Sequence, residues 1–199
     1  MHIMLRVADL SPENLITAYC NGAFPMADPD GIVRFYHANP RGIIPLDGLV
    51  VPRSLRQKIN RRTFEIRFNH DFEQIIRACR DDRAEGSWIN DEIVEAYCRL
   101  HTIGIAHSVE AWHDGRLAGG LYGVSIGAAF FGESMFHRVT DASKVALVAL
   151  VERLRQRDFR LLDAQAATDH LRRYGCVEVS QRQYLRQLRD AIVDERRFD

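Results

Sequence analysis

Two short stretches of this chain place a charged or amide group where an apolar pattern calls for something else. In Phe131-Gly132-Glu133-Ser134-Met135-Phe136, period-two alternation sets Phe131, Glu133 and Met135 on one strand face, a carboxylate between two large apolar groups. Buried there, it is costly unless paired. It either carries chemistry or is half of a structural ion pair with Arg138 or Lys144. In Leu161-Leu162-Asp163-Ala164-Gln165 the same alternation brings Asp163 and Gln165 to one face, at the C-terminal end of an apolar strand where clefts of open α/β sheets lie. This pair acts on one bound group, or it caps the helix that starts near Thr168.

A basic run, Arg53, Arg56, Lys58, Arg61, Arg62 and Arg67 against the single Glu65, stands out in a chain whose 27 Lys+Arg balance 27 Asp+Glu. Overall neutrality excludes a protein that coats nucleic acid by bulk charge. The local excess fits a solvated face or a local phosphate contact, as at the end of a folded RNA. Trp88, just before Asn90, either staples its helix or stacks a nucleobase. The eight histidines and four cysteines show no metal-ligand or Cys-x-x-Cys spacing, so no metal is expected and the thiols are read as buried. There is no Gly-x-Ser-x-Gly elbow, P-loop or dinucleotide fingerprint.

These residues need a scaffold, and 199 residues with 46% apolar and 27% charged side chains suffice for a substantial core. The longest mainly apolar stretch, 145–151, is too short to span a bilayer, and residues 1–6 lack the order of a signal peptide, so a soluble cytoplasmic protein is expected. Ser11-Pro12-Glu13 starts a helix that Gly22 stops. Residues 22–52 are dense in Pro and Gly, which predicts short strands and turns around Val33–Tyr36. A basic helix follows Pro52, a strand covers 63–68, and helices carry Phe72, Ile75, Ile76, Cys79 and then Ile93, Ala96, Tyr97, Leu100. Three strands, 105–113, 116–124 and 128–136, form a meander whose first turn is Asp114-Gly115. A long helix over 141–157, apolar nearly all round, is expected to be central; strand 161–162, helix 168–174, strand 177–179 and helix 180–193 complete the chain. The order predicts an α+β fold, a small N-terminal α/β lobe (1–58) before a domain (59–199) with a mixed sheet around a long central helix. It is similar to the GNAT acyltransferase fold, which by itself says little about chemistry.

Ala106-His107-Ser108-Val109-Glu110, Gly119-Gly120-Leu121-Tyr122-Gly123-Val124, Gly132-Glu133-Ser134-Met135-Phe136, Asp141-Ala142-Ser143-Lys144 and Asp163-Ala164-Gln165 occur in this order. Together with Leu10-Ser11-Pro12-Glu13, Gly22-Ala23-Phe24-Pro25, Asn39-Pro40-Arg41, Arg53-Ser54-Leu55-Arg56 and Ser87-Trp88-Ile89, the text from about residue 9 to 189 closely resembles the leucyl/phenylalanyl-tRNA–protein transferases. The resemblance implies a bacterial cytoplasmic enzyme that moves Leu or Phe, and by extension Met, from aminoacyl-tRNA to the N-terminal Arg or Lys of an acceptor protein, marking it for N-degron degradation. It implies a GNAT-like catalytic domain and no cofactor, because an aminoacyl ester is already activated.

Carried over by motif, the resemblance gives catalytic roles to Asp163, Gln165 and Glu133: Gln165 touches the incoming α-amine, Asp163 polarises that contact, and Glu133 holds the acceptor's cationic end or the adenosine. Met135, Phe130 or Phe131, Leu147 and Leu150 are implied to form the side-chain pocket. Trp88 stacks the terminal adenosine, while Ser134, Tyr97 and His137 join the substrate site. Arg41, Arg53, Arg56, Lys58, Arg61 and Arg62 are implied to contact the tRNA. The family usually has Ser at the position of His137, Cys or Val at Ala164, more aromatics before the Pro-Arg pair, and a Gly-Gly-Asp before Leu10 that this chain lacks. The rival from another class is an acyl-CoA-dependent N-acetyltransferase, disfavoured because His137-Arg138-Val139-Thr140-Asp141 lacks a Gly-rich pyrophosphate turn. A non-catalytic tRNA-binding module would need the basic helix but not Asp163 and Gln165.

Overall fold

A computed structural model describes residues 2–3, 9–82 and 86–199; most of the N-terminal stretch read for a leader lies outside them. In chain order the elements are β1 (His2–Ile3), α1 (Pro12–Cys20), β2 (Phe24–Ala27), β3 (Val33–His37), β4 (Arg41–Ile43), α2 (Arg53–Asn60), β5 (Glu65–Phe68), α3 (Phe72–Asp81) and α4 (Asp91–Thr102). They continue with β6 (Ala106–His113), β7 (Arg116–Ile126), β8 (Ala129–His137), α5 (Ala142–Gln156), β9 (Leu161–Gln165), α6 (Asp169–Arg172), β10 (Val177–Val179) and α7 (Gln181–Ile192). Side-chain caps explain several starts: Ser11, Asp71, Asn90, Thr168 and Ser180 each accept a backbone N–H three residues on. Asp114 and Gly115 both adopt positive φ, the geometry a two-residue hairpin needs.

The result is an α+β fold with a mixed sheet. Seven strands run in the order β10-β4-β9-β8-β7-β6-β5, and β1-β3-β2 form a small separate sheet. Neighbours are antiparallel except β8 and β9. Helix α5 packs on one face through Val145, Leu147, Val148, Leu150 and Val151, with Leu121, Phe130 and Leu162 of the sheet in the same core. On the other face α1, α3, α4, α7 and the small sheet enclose a second core that includes Tyr19, Tyr97, Tyr122 and Phe131. The large sheet recruits β4, which a division at residue 58 assigns to the N-terminal lobe. Gly42 makes that entry possible, because a Cβ there would meet Ala166 C and Ala167 N at 2.6 Å.

Two irregularities in the sheet create an opening. The parallel pairing of β8 with β9 covers only Ala129–Phe131 against Leu161–Asp163; beyond it β9 pairs with β4 and β8 with β7. On β8 the register slips so that Tyr122 faces Ser134 while Gly123 faces Gly132, leaving Glu133 as the extra, bulged residue. Bulges re-aim side chains, and this one breaks the alternation read from sequence. Phe131 and Glu133 stay on one side, whereas Met135 joins the opposite core.

Candidate active site

Where β8 and β9 part, a cavity of about 360 Å³ opens between the small sheet and α5. Phe24 and Met26 of β2, Leu147 and Leu150 of α5, and Leu162 and Met135 give it apolar walls. Glu133 and Gln165 meet at its polar end, Gln165 Nε2 donating to Glu133 Oε1 at 2.9 Å. The second Glu133 oxygen accepts from Tyr97 Oη at 3.3 Å, and the Tyr97 hydroxyl is in close contact with that of Tyr19. Burial, together with the nearby Asp163 carboxylate, pushes Glu133 up to about 7; the two tyrosine hydroxyls and Arg41 pull the other way. A carboxyl that titrates near neutrality is suited to moving a proton.

Asp163 is completely buried and serves a different purpose. Its Oδ1 accepts from Arg41 Nε at 2.9 Å and from the Gln165 backbone N–H at 2.8 Å. Its Oδ2 accepts from Arg41 Nη2 and from Tyr184 Oη, both at 2.6 Å. Gln165 has φ 59, the left-handed region, and the Asp163 carboxylate secures it there. Arg41 also donates to the Gly22 carbonyl at 2.9 Å, and its guanidinium lies between the rings of Phe24 and Tyr184, 4.9 and 4.5 Å from their centroids. Burial opposes the Arg41 charge and Asp163 overcomes that opposition; burial and the same carboxylate keep the Tyr184 phenol protonated.

Several expectations are corrected here. Arg41 is 1% exposed and bound to Asp163, so it cannot reach tRNA phosphates. Neither Phe130 nor Phe131 lines the cavity: both lie before the strands part, Phe131 against Tyr19 at 4.9 Å and Phe130 on the opposite face against Phe198 at 5.3 Å. Tyr97 is buried behind Glu133 and does not face the cavity. Asp163 does not point at the amide of Gln165 but fixes its backbone. Arg138 pairs with Asp82 and Lys144 with Asp141, so neither neutralises Glu133. Cys20 and Cys98 are only half-buried, while Cys79 and Cys176 are buried.

Glu133, Ser134, Met135, Leu147, Leu150 and Gln165 are brought together at the cavity. Trp88 is half-buried beyond β2, its carbonyl accepting from Ala27 N at 3.0 Å, and His137 is exposed at the end of β8. On α2 and the turn after it Arg53, Arg56, Arg61 and Arg62 are exposed and have no ion pair among the described residues; Lys58 is bound to Asp141. Sequence reasoning missed Tyr19, Tyr184, Phe24 and Met26 as site residues. It also missed the task of Arg41, although a guanidinium opening the run Arg41-Gly42-Ile43-Ile44 is itself a sign of a buried charge in need of a partner. Among the described residues no three His, Cys, Asp or Glu side chains are grouped as metal ligands, and no helix is long and apolar enough to cross a membrane.

The sequence profile described as leucyl/phenylalanyl-tRNA protein transferase matches residues 43–189, and that of its N-terminal domain matches residues 8–38. Relatives named leucyl/phenylalanyl-tRNA–protein transferase include one from Akkermansia muciniphila, 49% identical over 94% of this chain and 98% of its own, and one from Rubrobacter xylanophilus, 50% identical over 95% and 98%. A third, from Salinibacter ruber, is 52% identical over 86% of this chain and 75% of its own. The solved structure of L-PGS from Bacillus licheniformis overlaps 77% of this chain and 49% of its own, with a TM-score of 0.45 and 10% identity, too loose a likeness to build on. At half identity over nearly the whole length, the chain belongs to the leucyl/phenylalanyl-tRNA–protein transferase family and is an aminoacyltransferase.

Proposed function

We propose that this enzyme moves leucyl or phenylalanyl, and more weakly methionyl, from the 3′ end of tRNA to the α-amine of an acceptor protein that begins with Arg or Lys, marking it for N-degron degradation in the cytoplasm. The observation that carries this reading is the meeting of Glu133 and Gln165 at the polar end of an apolar cavity. The cavity takes the donor's side chain. It accepts unbranched-at-Cβ apolar groups and separates them by only ~1 to 3 kcal/mol per methylene, which leaves room for methionine. The acceptor amine approaches the ester carbonyl from the Glu133–Gln165 side, where the Gln165 Oε1 accepts one of its N–H groups.

The reaction needs one C–N bond made and one C–O bond broken. The acceptor ammonium loses one proton to solvent on binding as the free amine. As the amine nitrogen attacks, its next proton passes to Glu133 and from there to the departing ribose oxygen, which leaves as a hydroxyl. Asp163, Arg41 and Tyr184 touch no substrate in this scheme; they position Gln165. The larger lobe is read as GNAT-like, the parting of the parallel pair β8 and β9 providing the acyl site. An acetyl-CoA donor is disfavoured by the glycine-free turn at 137–141, and absence of acetyl-CoA binding is the expected result.

Labelled Phe-tRNA and peptides differing only at residue 1 test the reading. Gln165→Ala should lower the transfer rate about 10²-fold or more with donor binding retained. Leu150→Trp, which fills the cavity, should block phenylalanyl transfer. Full activity in both variants would refute the proposal.

A further inference from the structure

A donor of the kind proposed above carries its ester on the ribose of a terminal nucleotide. With the aminoacyl side chain in the cavity, that nucleotide's own phosphate lies one ribose away from the cavity mouth. The rim near α6 is where the structure gathers cations. Thr168, His170 and Leu171 line it. The His170 ring lies 5.3 Å from that of Tyr174, and the Tyr174 hydroxyl interacts with Lys144 in the first turn of α5. Lys144 donates to Asp141 Oδ1 at 2.6 Å, while Lys58 of α2 donates to Oδ2 at 2.6 Å.

One carboxylate therefore holds two ammonium groups side by side and neutralises only one of them. Both remain partly exposed, Lys144 by 28% and Lys58 by 37%. His170 is held below the usual imidazole range first by burial and then by Lys144, Arg173 and His137, the mark of a locally positive field. The carboxylates on these elements are Asp141, occupied by the lysines, the exposed Asp169, and the exposed Glu152, eight residues beyond Lys144 on α5. The α2 arginines 53, 56, 61 and 62 are exposed on and just after the helix and do not line the cavity, which suits phosphates farther along a stem.

Resting on the donor reading above, we propose that Lys144, flanked by Lys58 and His170, seats the phosphodiester that joins the last two nucleotides of the donor RNA.

Two minimal donors isolate this contact: 3′-O-phenylalanyl-adenosine, which has no phosphate, and 3′-O-phenylalanyl-cytidylyl-adenosine, which has one. The wild type is expected to prefer the second in kcat/KM by about tenfold or more, the worth of one charge-assisted contact. Lys144→Met should remove most of that preference, Lys144→Arg should keep it, and His170→Ala should reduce it by a smaller factor. The ratio reports the added cytidine and its phosphate, so a general loss of folding or of catalysis cancels, and the contrast of Lys144→Met with Lys144→Arg assigns the share that belongs to the phosphate charge. A wild type without the preference, or the same ratio in Lys144→Met and His170→Ala as in the wild type, would overturn the assignment. Failure of the wild type to transfer from either donor would instead overturn the reading of the donor itself.

Discussion

Glu133 and Asp163 are two carboxylates close together, and their surroundings drive them to different tasks. Asp163 faces a guanidinium fork and a phenol, which hold it in one place. Glu133 faces hydroxyls and an amide and stays near its own titration point. A carboxyl whose folded pKa is about 7 binds more protons folded than unfolded, so it favours folding below the ordinary carboxyl pKa, and that contribution is lost as pH rises through 7. Glu133→Gln should therefore raise the urea midpoint at pH 8, by on the order of 1–3 kcal/mol in stability, with the difference closing by about pH 4–5. Arg41→Met should act in the opposite direction: it leaves a buried carboxylate unpaired and should cost about 3–5 kcal/mol in urea denaturation, with loss of transfer as Gln165 is freed. Sequence marked Glu133, Asp163 and Gln165 because each violates a local pattern. The partner of Asp163 was hidden because Arg41 lies 122 residues away and only the fold joins them.

Among the elements, the long and strongly periodic ones were legible: α3, α4, the β6–β7–β8 meander and α5 fall within a few residues of the positions their patterns predict. Short β4 was not, since three residues, Arg41–Ile43, carry no periodicity and their pairing with β9 and β10 is decided by tertiary contact. Nor does alternation reveal a bulge, which is why it places Met135 on the wrong face. The close approach of β4 to β9 predicts that Gly42→Ala lowers thermal stability by about 1–3 kcal/mol and reduces transfer, because the same displacement carries Arg41 away from Asp163. For α2, Arg53→Ala should weaken binding of all aminoacyl-tRNAs alike and flatten the salt dependence by about one phosphate contact. An unchanged slope in a filter-binding titration would remove this helix from the RNA interface.

At the scale of the whole molecule, the site belongs to neither the small sheet nor the large one. Phe24 and Met26 come from β2, Leu147 and Leu150 from α5, and the polar pair from β8 and β9. Tyr19 on α1 and Tyr97 on α4 reach Glu133 from behind, while Arg41 crosses from β4 to Asp163. Composition and element order gave the α+β class, but the convergence of distant segments on one cavity is a property of the folded chain. The central claim is that Glu133 carries the proton that the acceptor amine loses. Its most direct test is the pH dependence of single-turnover phenylalanyl transfer to an Arg-initiated peptide, in the wild type and in Glu133→Gln. The wild-type rate should rise through a midpoint near pH 7, and Glu133→Gln should be slow throughout and keep only the later rise, at about pH 8, that belongs to the acceptor amine. The same rise and the same plateau in both proteins would contradict it.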